Sequence, residues 1–177
     1  MKKWIALLLL LSLLLSGCVL GRERFQEPVT FYYPRAHKTA EQLDNFFTEG
    51  AIGEETREAV GHRQDLTYLL TMYLTGPLKE GLTSPYPVTT QLNQVQQDGN
   101  NLTVILTVKS HRTTSLDLTL GSACLAKTCM ALTQLDTVQI QILELDGDPL
   151  FSSSFNEHNL LLEDGFPAPA DSTDKTQ

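Results

Sequence analysis

Three cysteines, four histidines, a short acidic cluster and a serine triplet are the side chains of this sequence best suited to chemistry, and their spacing decides which chemistry is open to them. Cys18 follows Ser16-Gly17 at the end of a leucine-rich run, and its thiol is a nucleophile. Cys124 and Cys129 stand five residues apart. On a continuous helix that is about 140° of rotation and roughly 7.5 Å of rise, beyond the Cα separation a disulfide tolerates. They are expected to be two buried small residues, Cys124 the deeper. His37, His62, His111 and His158 lack the partner three to five residues away that a helical zinc site needs, so surface or loop histidines are expected. Asp146 and Asp148, with Glu144, resemble the start of a calcium loop, but no bidentate glutamate follows at the required distance. Asp146-Gly147 is a strong turn former in its own right. Ser152-Ser153-Ser154 has no nucleophile-elbow glycines and reads as loop or edge strand. Asn101-Leu102-Thr103 fits the glycosylation pattern by chance. No catalytic set, cofactor site or metal site is expected, and the chain is read as a non-enzyme.

Those side chains must be positioned by the rest of the 177 residues. Lys2 and Lys3 precede an apolar run of about a dozen residues, where a membrane-spanning helix needs roughly 20. A charged start and a short apolar centre are the marks of a secretory signal. Leu15-Ser16-Gly17-Cys18 resembles the lipobox of bacterial lipoproteins. That resemblance implies a signal peptide over 1–17, cleavage before Cys18 and a diacylglycerol on its sulfur, hence a lipid anchor on the extracytoplasmic face of the cell membrane. Two acyl chains hold stably where one does not. Loss of Lys2 and Lys3 takes the formal charge from −8 to −10, and a surface that acidic repels phosphate backbones, so no nucleic-acid partner is expected.

Residues 18–28 read as a tether and 163–177, rich in proline and polar residues, as a disordered tail. Between them, 29–162 should form one domain. Val29–Tyr33 reads as a strand, Arg35–Gly53 as holding a second extended piece around Phe46-Phe47 and Ile52, and Glu54-Glu55 as a helix start. Leu66, Leu69, Leu70, Tyr73 and Leu74 line one face of a helix that Gly76-Pro77 ends. Gln91–Gln96 and Leu102–Lys109 flank Asp98-Gly99-Asn100 as a hairpin. A second helix, capped by Thr119, should run to about Leu135, facing the sheet with Leu120, Gly121, Cys124, Leu125, Thr128, Ala131, Leu132 and Leu135. Ser122, Ala126, Lys127, Met130 and Gln134 should point away. Val138–Leu145 alternates as a strand, with a slip between Ile142 and Leu143 that marks a bulge. The fold expected is α+β, a small mixed β-sheet with two helices packed on one face.

Three stretches carry a family resemblance. They are Leu69-Leu70 through Gly76-Pro77 with Gly81-Leu82-Thr83-Ser84-Pro85-Tyr86-Pro87, then Leu132–Val138, then Asp146-Gly147-Asp148-Pro149-Leu150. In this order and behind a lipobox, they resemble the GerMN domain of spore-germination and sporulation proteins. The resemblance implies a non-enzymatic domain of envelope lipoproteins, similar in fold to the ring-building motif of sporulation channel proteins, with protein–protein assembly as its work. One copy fits this chain.

The function expected is therefore a membrane-anchored extracytoplasmic lipoprotein, held through Cys18, that binds another envelope protein or itself, with a link to sporulation or germination. The contact surface is expected at an exposed sheet edge or at the loop holding Gly81, Ser84, Pro85, Tyr86 and Pro87, where prolines would hold an aromatic rigidly for contact. The alternative is an exported binder of a small ligand, a cell-wall fragment or peptide, which calls for a deep pocket with a few converging polar groups.

Overall fold

The structure, a computed structural model, describes residues 27–109 and 114–160. The expected signal peptide, Cys18, most of the tether, His111 and the tail 163–177 lie outside the described residues. The order of elements is β1 (Pro28–Pro34), α1 (Ala40–Thr48), β2 (Ile52–Glu58), α2 (Leu66–Leu74), β3 (Gln91–Asp98), β4 (Asn101–Thr107), α3 (Ser115–Thr133), β5 (Thr137–Leu143) and β6 (Pro149–Asn156). This is an α+β domain with two sheets: β1-β2 antiparallel, and β3-β4-β5-β6 mixed, with β4 and β5 parallel.

Alternation builds the larger sheet. Leu102, Val104 and Leu106 of β4 register with Val138, Ile140 and Ile142 of β5, and all six are at most 1% exposed. The hairpin turn at Gly99 takes a left-handed φ of 59°, and a register shift falls between Ile142 and Leu143 where the alternation slips. Helix α2 packs against β3, and α3 against β5 and β6, so two helices cover the sheet's apolar face as expected. Leu69, Leu70 and Tyr73 are the buried side of α2, with Asp65 accepting from the Tyr68 N–H at its N-terminus.

Beyond this two-helix layer lies the second sheet, and α3 packs against its strand β1 as well. Every residue from Leu120 to Cys129 except Lys127 is buried. The outward placement expected for Ser122 and Ala126 is therefore corrected, since both are 0% exposed, while Ala131 is exposed. A helix with partners on two sides uses small residues where a one-sided helix would show polar ones. The β1 main chain approaches this helix directly: the Tyr32 N–H donates to Thr128 Oγ1 at 2.9 Å, and that hydroxyl donates to the Cys124 carbonyl at 2.9 Å. In this way α3 covers part of an open strand edge.

Three further expectations are corrected. The helix starts at a capping box between Thr114 and Asp117, ahead of Thr119. The stretch expected to be extended around Phe46-Phe47 is α1, started by a capping box between Thr39 and Gln42. Glu54-Glu55 begins no helix; it lies inside β2, paired with Tyr32 and Phe31.

Candidate interaction surface

The segment after α2 is held by a buried ion pair. Glu55 and Arg57 project from the same side of β2, with side chains 6% and 9% exposed, and meet at 2.5 Å. Glu55 Oε2 accepts from the Leu78 and Lys79 N–H groups at 2.8 and 2.9 Å. The Arg57 guanidinium donates to the Met72 and Gly76 carbonyls and to the Tyr33 hydroxyl, and lies over the Phe31 and Tyr33 rings. Gly76 takes φ +89°, which lets the chain turn out of α2 toward these partners. Burial alone would raise the Glu55 pKa; hydrogen bonds from Arg57 and from the two amides, with the Arg57 charge, outweigh it and hold the carboxyl below its ordinary range. Tyr33 and Tyr73 stack in parallel beside this group, their centroids 4.6 Å apart.

From there the predicted contact loop runs along the end of β1. The Ala36 N–H donates to the Gly81 carbonyl at 2.8 Å and the Thr83 N–H to the Pro34 carbonyl at 2.9 Å. Ser84 Oγ donates to the Tyr86 carbonyl, closing a tight bend. Pro85 and Tyr86 then turn inward. Pro85 packs on Gly121 of α3, and Tyr86 is 5% exposed with its hydroxyl 3.5 Å from Ser122 Oγ. The expectation that Tyr86 is displayed for contact is corrected: the small residues of α3 make room for its ring, and burial is the better place for so much apolar area. Gly81 and Ser84 are exposed, Pro87 is half-buried, and the next residue, Val88, is 98% exposed.

Between this loop and the chain leaving β1 lies a half-open depression of about 330 Å³, lined by Pro34, His37, Lys38, Ser84–Pro87, Asp117 and Leu120 among others. His37 also meets the Phe46 ring at 5.4 Å, and Phe46 meets Phe47 at 5.7 Å. Phe46 packs inward on Ala51, Leu120 and Cys124. Phe47 and Leu43, one helical turn apart on α1, are 49% and 42% exposed. An apolar strip thus leads from the helix surface through Phe46 and His37 to the mouth of the depression. The sequence reading missed α1 and with it Leu43 and Phe47; the signal available was Thr39-x-x-Gln42, a capping box.

The remaining chemical candidates fall in separate places. Cys124 and Cys129 are free and buried on an unbroken helix, and burial pushes both thiols up, Cys129 to about 12. His62 stacks on Tyr68 at 4.0 Å, away from His37 and His158 in the sequence and on other elements. Asp146-Gly147-Asp148 forms a turn closed by Glu144–Asp148 and Gly147–Glu144 backbone hydrogen bonds. Ser152–Ser154 lie on the edge strand β6. Among the described residues no three His, Cys, Asp or Glu side chains are grouped to hold a metal, and no helix is long and apolar enough to cross a membrane.

No protein-family model matches this chain, and no curated protein matches it. Among solved structures it is similar to a candidate lipoprotein from Clostridium perfringens, with 16% identity over 75% of this chain and 89% of that one and a TM-score of 0.37. Likeness of that degree transfers neither fold nor activity.

Proposed function

We propose that this chain is a lipid-anchored envelope lipoprotein whose GerMN-type domain works by binding another envelope protein or a second copy of itself. The lipobox at Leu15–Cys18 supports the anchor, and the three GerMN-like stretches support a place in sporulation or germination. The observation that carries the contact reading is the apolar strip of α1. Leu43 and Phe47 stay nearly half exposed on a helix that buries no residue fully, beside a loop clamped by buried groups. Aromatic side chains with a rigid neighbouring frame are what protein interfaces use as anchors. The test is a photo-activated cross-linker at position 47 in native membranes, with identification of what it captures. Capture of one envelope protein, or of a second copy, at native abundance supports the reading; adducts only with lipid or with abundant bystanders contradict it.

A second reading, an exported binder of a cell-wall fragment or peptide, is favoured by the depression itself. At about 330 Å³ it falls at the small end of ligand-site volumes, and His37, Lys38 and Asp117 bring polar groups to its rim. Titration of the purified domain with muropeptides separates the two. Saturable binding lost in Lys38→Ala and Asp117→Ala supports a ligand site.

A further inference from the structure

The four-stranded sheet buries one face; on the other, Gln94, Ile105, Gln141 and Ser152 form one cross-strand row, and Gln96, Thr103, Gln139 and Ser154 form the next. All eight are exposed or half-buried, so no described element covers them. None carries a charge, in a chain with 34 charged side chains and a net charge of −8. The adjoining Thr107–Leu143 row is also neutral, and charges flank the face at its ends, Asp98 on β3 and the exposed Lys109 two residues after Thr107. An acidic domain stays apart from its own copies because like charges meet on approach. Here is one broad, pleated face on which they do not meet.

From this pattern we infer that the outer face of β3-β4-β5-β6 is a weak, two-fold self-association surface, stacked sheet on sheet with a second copy of this chain. The chemistry of the face selects that occupant. A basic partner would be drawn to the acidic remainder of the surface instead. Glutamine and hydroxyl side chains each carry both donor and acceptor, so a copy offers matching groups to itself, and a two-fold arrangement uses the same residues on both sides. Gln94 and Gln96 already pair, with Nε2 donating to Oε1 at 2.8 Å, which leaves an acceptor on one and donors on the other facing outward. Four strands about 4.8 Å apart and seven residues long give a face of roughly 400 Å² in plan, about half of what one partner contributes to a standard interface of ~800 Å² a side. Such a contact is weak in dilute solution and forms where copies are held on one surface at high local concentration. The inference rests on the membrane-anchored assembly reading above and names one of its contacts.

The experiment places a photo-activated cross-linker at Gln141 in the full lipidated chain, reconstituted in phosphatidylcholine vesicles. Dimers are expected, in a yield that rises with surface density. Gln139→Glu with Gln141→Glu should reduce the yield about tenfold by setting like charges face to face. The same pair changed to lysine should also fail alone, and mixing the glutamate and lysine proteins should restore mixed dimers. That rescue shows both variants are folded. Dimer yields indifferent to these charges overturn the inference. Dimers captured from position 47 but not from 141 also overturn it while the assembly reading stands. Absence of any adduct from either position in the vesicles overturns self-association, while the assembly reading is then decided by capture of another envelope protein from position 47 in native membranes.

Discussion

Pro85 fills the notch that Gly121 leaves on α3: a Cβ added to Gly121 would lie 2.7 Å from the Pro85 Cβ and 3.3 Å from its carbonyl oxygen. The contact joins the loop after α2 to the central helix, and neither the proline ring nor its backbone can swing aside as a long side chain would. Gly121→Ala should therefore destabilise the domain by about 1–3 kcal/mol despite alanine's better helix propensity. Denaturant midpoints check this. An unchanged or raised midpoint would show that the loop yields and does not brace the helix.

Arg57 is the ion-pair partner of Glu55, and both side chains are at least nine-tenths buried. Arg57→Met should cost about 3 kcal/mol, because the carboxylate stays behind without its counter-charge and keeps only the Leu78 and Lys79 amides. The pH dependence follows from the lowered pKa of Glu55. In acid the unfolded chain binds its proton before the folded chain does. The pair's contribution is thus present above the ordinary carboxylate range and lost as pH falls through the folded value. Stability should rise with pH across this window, and Glu55→Gln should flatten that rise. An acid limb with the same slope in the variant would assign it to other carboxylates.

How much of this was legible beforehand depends on whether a residue's partners were near in sequence. Leu66, Leu69, Leu70 and Tyr73 mark α2 because one apolar side is all that helix needs, and Leu102–Val108 marks β4 for the same reason. The bulge after Ile142 shows as a slip in alternation. In contrast, β2 reads Ile-Gly-Glu-Glu-Thr-Arg-Glu, and nothing local says that Glu55 and Arg57 are buried against carbonyls and amides that come from α2 and the loop after it. Helix α3 was half legible. Its position followed from periodicity, but burial of Ser122 and Ala126 depends on β1, a strand about ninety residues earlier. Tyr86 was misplaced for the same cause, since its burial depends on the small side chain of Ser122 and on Gly121, more than thirty residues away.

Both described thiols should be silent in the native state. Cys124 and Cys129 are 0% exposed, so an aromatic disulfide reagent should titrate neither until the chain unfolds, and then both. Because their folded pKa values are raised, their contribution is full below the ordinary thiol pKa of about 8.5 and falls away as pH climbs beyond it. Tyr33, Tyr73 and Tyr86, also raised by burial, continue that loss at higher pH. Rapid native labelling of either cysteine would contradict the packing of α3.

Phe47→Glu separates folding from contact. At 49% exposure the side chain contributes little to the core, so the change should move stability by no more than about 0.5 kcal/mol. Capture from the neighbouring Leu43 position in native membranes should nevertheless fall sharply. Equal capture by parent and variant would remove α1 from the interface.

The central claim is that a membrane-held body meets its partners at the envelope, and the mass of the mature N-terminus tests it most directly. Chain extracted from membranes with detergent should begin at Cys18 and carry a diacylglycerol on its sulfur, and Cys18→Ser should release the body from the membrane fraction. A mature chain that is unmodified at Cys18 and found free of membranes would contradict the account.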